Sequence, residues 1–435
     1  NNTMFSKTLY YGIISRPCIG CESYTVITSH EICEAITDPE PINPGGGWFD
    51  SIHRQGEIAD VCPGYVVVSD GRGNEYEVAL IWSPTAQRCT FYPVPEYSLK
   101  EFSLNYSAIG TPALACRGND VPLILSWTSP DAHIHIMSSD DPPVSSSTGA
   151  PLFFAPIDLG ETIGAMSSHG PSATFQGLGN LWLAWTDLNH RINVMPYGGS
   201  KQILSHDSSP FGPCITYVPF QTEYPNLPST LVNRFYIAYV ATNTSTNFRG
   251  IYILSSQDGV NWDRRIGPIQ QPSLNVITNT TPYLTFIKGK LYLLWQTSTE
   301  NDPSPATSPF CNEGQIYMGN LWIMESTDGI NFVNSVPLST EPAGSRKFSC
   351  FAPSLIEFSG EDLMMFWSQL GVAFSALGPE YDTSTLASGY IGNEYSYYGG
   401  AGPASGIALA NYHGKILGAW AGIDNTLRFT EFTSE

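Results

Sequence analysis

The chain has 435 residues, which is enough for two domains or one large one. Charged residues make up only 13% of it, whereas 40 glycines, 33 prolines, 23 tyrosines and 21 phenylalanines favour a turn-rich β protein over a helical bundle or a disordered chain. The formal net charge of −20 argues against nucleic acid or an anionic membrane as a general partner, because binding either requires a cationic face.

Cysteines and acceptor motifs predict a secreted, extracellular glycoprotein. Nine cysteines are typical of an oxidising compartment and predict disulfides, although their pairing does not follow from spacing. Four Asn-x-Ser/Thr acceptors begin at Asn1, Asn105, Asn243 and Asn279. The sequence has no apolar run of about 18 residues, so no membrane span is predicted. Because no leader pattern begins at Asn1, we expect any signal peptide to have been removed.

Residues 1–95 are predicted to form a small α+β domain, or a remnant of one. Their most informative segment is TSHEICEAITDP, from Thr28 to Pro39. His30 and Glu34 are four residues apart, so a helix places them on one face, with Glu31 beside them. This is the layout of the zincin helix H-E-x-x-H, with Glu in place of the second His.

A later block, GEIADVC, adds Glu57 and Asp60 as oxygen donors. Together the blocks resemble the C-terminal half of a secreted metallopeptidase-like family that includes the plant phosphate-induced (Exordium-like) proteins. The resemblance implies that His30, Glu34 and one of Glu57 or Asp60 hold a metal, with Glu31 as the water-activating base. Because a carboxylate replaces the second imidazole, the metal is expected to be zinc or calcium, in a catalytic or a purely structural site. A surface helix with ordinary acids is the remaining interpretation.

Residues 100–435 carry six copies of a two-part signature. In each copy a proline opens an apolar run, and an aromatic residue then closes a second strand. The pairs are Pro112 with Trp127, Pro171 with Trp185, Pro213 with Tyr239, Pro282 with Trp295, Pro353 with Trp367 and Pro403 with Trp420. Repeats of roughly 40–70 residues predict an all-β fold, a six-bladed β-propeller, with a β-sandwich as the alternative. We expect the repeated aromatics to be core anchors. The stretch Tyr390 to Tyr398 departs from the pattern and is expected to form a loop over the propeller's mouth.

Two of the repeats add a hairpin motif, SSQDGVNW and ESTDGINF. Their key positions are Ser256, Asp258, Gly259 and Trp262, and Ser326, Asp328, Gly329 and Phe332. They resemble the Asp-box of sialidase-like propellers, S-x-D-x-G-x-x-W, with the glycine one position early. We expect the Asp to cap a tight turn, the Gly to supply a positive φ, and the aromatic residue to anchor the turn between blades. The resemblance implies glycan chemistry, but no set of three arginines is distributed as an active sialidase requires.

The hairpins that follow three of the tryptophans are the predicted ligand site. They carry Asp131 and His133 after Trp127, Asn189, His190 and Arg191 after Trp185, and Asp424 after Trp420. Polar side chains beside aromatic residues suit a sugar, whose hydroxyls form hydrogen bonds while its apolar face stacks. The alternative is that Asp131, Asn189 and Asp424 only cap their turns.

The sequence therefore favours a lectin-like propeller that binds glycans or glycoproteins, with no nucleic-acid partner. One alternative is a zinc-dependent metallopeptidase that uses His30, Glu31 and Glu34, with the propeller as its substrate-recognition domain. A second is a sialidase-like glycoside hydrolase. Apart from zinc or calcium in the front segment, no cofactor is predicted, and the sequence does not indicate an oligomeric state.

Overall fold

In the computed structural model, the chain divides into two compact units, Asn1–Tyr97 and Ser98–Glu435. The residues that the structure describes are 65–69, 75–79, 81–83, 88–90, 100–116, 122–144, 151–177, 179–220, 225–243, 248–269, 278, 280–297, 319–338, 348–358, 362–369, 372–378, 393–397, 403–412 and 415–432. Among them, no helix has the length and apolar character needed to cross a membrane.

The described part of the first unit consists of two short hairpins. β1 (Tyr65–Ser69) pairs with β2 (Glu75–Ala79), and β3 (Ile81–Ser83) pairs with β4 (Arg88–Thr90), both antiparallel. The run YVVVS in β1 is rich in β-branched residues, as expected for a strand. The helix predicted around His30 lies outside the described residues, and so it stays a prediction.

The described residues of the second unit form six antiparallel sheets, one for each predicted repeat. Blade 1 contains β6 (Ile109–Ala115), β7 (Ile124–Thr128), β8 (Ile134–Val144), β9 (Pro151–Phe153) and β10 (Ile157–Asp158), followed by the helix α1 (Leu159–Ile163). Blade 2 contains β11 (Ser172–Phe175), β12 (Leu181–Thr186), β13 (Arg191–Pro196) and β14 (Gln202–Ser208). Blade 3 contains β15 (Cys214–Val218), β16 (Arg234–Asn243), β17 (Phe248–Ser256) and β18 (Trp262–Ile266).

The last three blades follow the same plan. Blade 4 contains β19 (Tyr283–Ile287), β20 (Lys290–Gln296), β21 (Gly319–Ser326), β22 (Val333–Pro337) and the short β23 (Phe348–Ser349). Blade 5 contains β24 (Ser354–Phe358), β25 (Asp362–Gln369), β26 (Val372–Gly378) and β27 (Asn393–Tyr397). Blade 6 contains β28 (Ala408–Tyr412), β29 (Lys415–Ala421), β30 (Thr426–Phe432) and, as its outermost strand, β5 (Lys100–Ser107).

The sheets close into a ring. The six innermost strands contact one another in the order β6, β11, β15, β19, β24 and β28, and β28 contacts β6 again. The pairing of β5 with β30 joins the first strand of the unit to its last one. The arrangement confirms the prediction of an all-β, six-bladed propeller.

The repeated aromatic residues fill the spaces between blades, as predicted. Five of the six are tryptophans, and all six are at most 1% exposed: Trp127, Trp185, Tyr239, Trp295, Trp367 and Trp420. Burying a side chain of this size stabilises the fold by about 1.5–3 kcal/mol. The periodic aromatic is therefore one of the large core anchors of each repeat.

A polar residue directly after the repeat's proline links neighbouring inner strands. The contacts are Ile215 N to Ser172 Oγ (2.9 Å), Leu284 N to Cys214 Sγ (3.2 Å), Tyr283 OH to Leu355 O (3.3 Å), and Ser354 Oγ to Ile407 O. Because each pair spans two blades, these bonds hold the ring together around its axis.

Two details of the prediction were wrong. Pro403 does not directly precede an inner strand, because it lies five residues before β28 and forms a bridge with Gly422 instead. Part of the tyrosine-rich segment is not a loop but strand β27, which pairs with β26 as the outer strand of blade 5. The alternation of NEYSY suits a strand with two different faces.

Candidate functional site

Three hairpins at one end of the propeller share a single backbone geometry. In blades 1, 2 and 6, the N–H group two residues past the Trp donates to the carbonyl four residues further on: Ser129 to His133 (2.9 Å), Asp187 to Arg191 (2.9 Å) and Gly422 to Thr426 (2.8 Å). The residue five past the Trp has a positive φ in each: 71° at Ala132, 63° at His190 and 60° at Asn425. We call this end of the propeller the hairpin face.

In blade 6, Asp424 both caps the turn and binds an arginine. Its Oδ1 accepts the Thr426 N–H at 3.0 Å, and its Oδ2 pairs with the guanidinium of Arg428. Burial opposes ionisation of Asp424, but its bonds from Thr426 and Arg428 keep its pKa below the usual value. Asp424 is therefore an ionised carboxylate that is neutralised by its own hairpin.

In blade 2 the same role belongs to Asp187, which the sequence analysis did not single out. Asp187 Oδ1 accepts the N–H groups of Asn189 (2.9 Å) and Arg191 (3.0 Å), while its Oδ2 lies 2.8 Å from Arg191 Nη2. Partial burial disfavours the charged form of Asp187, but the hydrogen bonds from Arg191 outweigh this effect and lower the pKa of Asp187. Asn189 and His190 are exposed on this turn, and Asn189 is not its cap. The spacing Asp-x-x-x-Arg across a turn was the signal that would have found this pair.

In blade 1, Asp131 has a neutral partner instead. The Ser129 hydroxyl donates to Asp131 Oδ1 and also lies 2.9 Å from Nε2 of His135. The His135 ring stacks on Trp127, with 5.2 Å between centroids and 18° between planes. The Ser129 bond lowers the pKa of Asp131, so this exposed carboxylate is ionised at neutral pH.

His133, also predicted as a ligand residue, is bound to its own blade. Its Nδ1 lies 2.9 Å from Oδ2 of Asp158, which caps α1, and the hydrogen bond raises the pKa of His133. A Cβ added at Gly160 would lie 2.4 Å from Cγ of the His133 ring, so the ring packs directly on the helix backbone. The side chain of His133 is 28% exposed.

Tyr106, on the outermost strand of blade 6, contacts blade 1. It is 37% exposed, and its ring centroid lies 5.3 Å from that of Trp127. Tyr106 belongs to β5, and directly after that strand the Ala108 N–H donates to Asn425 O in the blade 6 turn at 2.7 Å. We define the blade 6–1 seam as Tyr106, Ser129, Asp131, His135 and Asn425.

The axial channel opens onto the same end. A cavity of about 340 Å³ lies inside the ring, and all six inner strands line it. Its wall near the hairpin face includes His169, Phe211, Phe351 and Thr280. Burial, with a smaller contribution from His190, lowers the pKa of His169, so its imidazole is neutral at pH 7. This wall offers apolar contacts and uncharged polar groups.

The two hairpins that resemble Asp-boxes lie at the opposite end, where their Asp caps the turn and their Gly has a positive φ. In the first, Asp258 Oδ1 accepts the N–H groups of Val260 (2.8 Å) and Asn261 (2.7 Å), while the Ser256 hydroxyl accepts the Gly259 N–H. These backbone bonds, that of Asn261 first, hold the pKa of Asp258 well below its usual range. The second box, at Ser326, Asp328 and Gly329, repeats the same bonds.

Each box also locks onto the preceding blade. Gly259 has φ +73°, and a Cβ there would lie 2.4 Å from the ring of Trp182 in blade 2. Gly329 has φ +71°, and a Cβ there would lie 2.2 Å from the hydroxyl of Tyr236 in blade 3. Trp262 and Phe332, the aromatic ends of the two motifs, are only partly buried. In each of these hairpins, therefore, the glycine packs closely against the preceding blade.

The predicted metal ligands His30, Glu34, Glu57 and Asp60 and the predicted base Glu31 lie outside the described residues. Within the residues that the structure does describe, no group of three or more His, Cys, Asp or Glu side chains is arranged to hold a metal ion.

No protein-family model matches the sequence, and no curated protein does. Solved structures do resemble the fold. An α-L-arabinofuranosidase from Fusarium graminearum in complex with an iminosugar inhibitor has a TM-score of 0.51 at 12% identity, over 77% of this chain and 98% of that one. The six-bladed fucose-recognising lectin of Aleuria aurantia has 0.42 at 10% identity, over 75% and 94%. A subtype N10 neuraminidase-like protein of the isolate A/little yellow-shouldered bat/Guatemala has a TM-score of 0.40 at 9% identity, over 77% of this chain and 100% of that one. At these identities the likeness extends to the β-propeller fold and no further.

Proposed function

We propose that this chain is a carbohydrate-binding propeller and that it holds a sugar in the blade 6–1 seam. The observation that carries the proposal is the exposed Tyr106 ring, which lies on Trp127, together with the ionised carboxylate of Asp131 on the hairpin that follows Trp127. An aromatic face packs against the apolar face of a pyranose, and a carboxylate accepts hydrogen bonds from its hydroxyl groups. The arabinofuranosidase and the fucose-recognising lectin have similar propeller folds, and their names associate both with sugars. This likeness agrees with the proposal, but the proposal does not depend on it.

The surroundings of the two groups support this choice of site. Tyr106 rests on Trp127, which is 1% exposed and in turn supports His135, so the platform is rigid before a ligand arrives. Ser129 fixes the position of the Asp131 carboxylate. A site whose groups are held in place loses less entropy on binding. The wall of the axial channel, by contrast, is built from apolar and uncharged groups, so we place the sugar in the seam.

A glycan array followed by calorimetric titration tests the proposal. Tyr106→Ala removes the stacking surface and should weaken binding about tenfold. Asp131→Asn removes a charged acceptor and should weaken it roughly 10- to 100-fold. Tyr197→Ala is the matched control, because Tyr197 is 42% exposed but lies after β13, at the opposite end of blade 2. The control should bind as the wild type does.

Two results would count against the proposal. A blank array obtained with the natively glycosylated protein would remove the carbohydrate function. Unchanged affinity in both Tyr106→Ala and Asp131→Asn would move the site away from the seam.

The front segment carries a second proposal, a metallopeptidase site on the motif HEICE. It rests on the sequence alone: His30, Glu34 and one of Glu57 or Asp60 would hold zinc or calcium, and Glu31 would deprotonate water. Elemental analysis of the purified chain and a protease assay of Glu31→Gln decide it. A metal-free wild-type protein without proteolytic activity would remove this proposal and leave the carbohydrate proposal standing. Secretion stays an expectation from the cysteines and acceptor motifs.

A further inference from the structure

We infer that the blade 6–1 seam selects neutral sugars and rejects sugars that carry a carboxylate, such as uronic and sialic acids. This inference rests on the proposed function, and it deepens it by naming the ligand class. It is argued from how the charges of the hairpin face are paired.

The cationic side chains of the three hairpins are already bound to carboxylates. Arg428 is paired with Asp424, and only 15% of its side chain is exposed. Arg191 is paired with Asp187 at 2.8 Å, and 47% of the Arg191 side chain is exposed on blade 2, outside the seam. His133 is held by Asp158 at 2.9 Å. An anionic sugar would have to share each of these cations with an aspartate that is already bound to it.

The carboxylate of Asp131 differs from the others. Its first partner is the hydroxyl of Ser129, which does not neutralise its charge. The backbone N–H and the imidazole of His133 also lower its pKa, but that imidazole is bound to Asp158. An ionised carboxylate can only accept hydrogen bonds. The seam therefore presents both an ionised hydrogen-bond acceptor and an exposed aromatic face.

These two features favour one ligand chemistry. A neutral pyranose can donate neighbouring hydroxyls to Asp131 while its C–H face packs on Tyr106. A sugar carboxylate would meet a like charge that no unpaired arginine of the described hairpins offsets, and like charges in close contact repel strongly where water is partly excluded. The net charge of −20 on the whole chain acts in the same direction at longer range.

The test uses pairs of ligands in which one member carries a carboxylate: methyl galactoside with methyl galacturonide, methyl glucoside with methyl glucuronide, and lactose with sialyllactose, which is longer by the sialic acid residue. We expect the neutral member of any pair that binds to bind at least about tenfold more tightly at low salt. The gap should shrink at high salt and in Asp131→Asn, because screening and loss of the charge both weaken the repulsion.

A gain-of-function variant makes the test sharper. Asp424→Asn removes the carboxylate that neutralises Arg428 next to the seam, and it should raise the affinity for the acidic member of each pair severalfold. Asp187→Asn, which does the same to Arg191 in blade 2, is the matched control and should leave the preference unchanged. Thermal unfolding of each variant by circular dichroism identifies any loss of fold.

The outcomes separate the inference from the proposed function. Equal or tighter binding of the acidic sugars by the wild type would overturn the inference and leave carbohydrate binding in place. Failure of every neutral and acidic ligand to bind would overturn both.

Discussion

The closeness of the contact between an Asp-box glycine and the preceding blade can be tested by adding one methyl group to the glycine and measuring the loss of stability. Gly259→Ala places a Cβ 2.4 Å from the Trp182 ring, and Trp182 is only 5% exposed, so it has little room to move. The substitution also forces an L-residue to adopt φ +73°. Gly198→Ala is the matched control, since Gly198 has φ +78° and no atom within 4 Å of its added Cβ.

The two variants separate strain from packing. A left-handed conformation costs an alanine about 1–2 kcal/mol, and both variants carry this cost. Overpacking against a buried ring costs about 1–3 kcal/mol more, and only Gly259→Ala carries it. We therefore expect Gly259→Ala to lower the free energy of unfolding by about 1–3 kcal/mol more than Gly198→Ala does.

Urea unfolding followed by far-UV circular dichroism measures the difference, provided that the two variants have equal m-values. Combining Gly259→Ala with Trp182→Leu should recover part of the packing cost, because contacting residues are coupled. If Gly259→Ala is no more destabilising than Gly198→Ala, the Asp-box does not lock blade 3 to blade 2 and the reasoning is refuted.

Two further predictions concern the axis and blade 1. Cys214 is expected to resist thiol reagents in the folded protein, because burial raises its pKa to about 11, and rapid labelling of the native thiol would contradict this. Cys214→Ser should keep the hydrogen bond from the Leu284 N–H, whereas Cys214→Ala should lower the free energy of urea unfolding by about 1–3 kcal/mol. Asp158 raises the pKa of His133 above 6.5, so its stabilisation is complete below that value and is lost as the pH rises through the raised pKa. Asp158→Asn should therefore destabilise the protein more at about pH 5.5 than at about pH 8.5, and equal effects at both would remove the role of the charge.

The fold was predictable because its signals are local and repeated. A tryptophan or tyrosine at the end of each second strand is large enough to fill the space between blades, so its recurrence marks the blades without any knowledge of pairing. The closure was not predictable in this way. β5 pairs with β30, which lies at the far end of the chain, and no short-range pattern in Lys100–Ser107 specifies a partner that distant.

The site was only partly predictable for the same reason. Asp131 and Asp424 were found because they occupy one position of a repeated turn. Tyr106 was missed because it belongs to β5, outside the repeat, and reaches the blade 1 hairpin only through the ring closure. The ion pair of Arg191 was missed because Asn189, and not Asp187, was taken as the cap of the blade 2 turn, whereas both Arg191 and Arg428 lie four residues after their aspartate.

One side chain decides whether the repeated carboxylate is neutralised. Asp131 and Asp424 both lie four residues past their Trp, and the residue four positions further on is His135 in blade 1 and Arg428 in blade 6. Arg428 returns across the turn to bind Asp424, whereas the His135 ring stacks on Trp127 and contacts Ser129. The open charge of the seam thus depends on the residue at position 135.

His135→Arg should convert the blade 1 turn to the charge state of blade 6. The new guanidinium, four residues after Asp131, is expected to pair with that carboxylate and to lower the affinity for neutral sugars roughly tenfold, as a lost charged acceptor would. His135→Gln is the control, because it changes the ring without adding a charge. Calorimetric titration with the neutral sugar that the wild type binds most tightly checks the effect. If His135→Arg and His135→Gln lose the same affinity, the stacked ring and not the charge of Asp131 sustains the site.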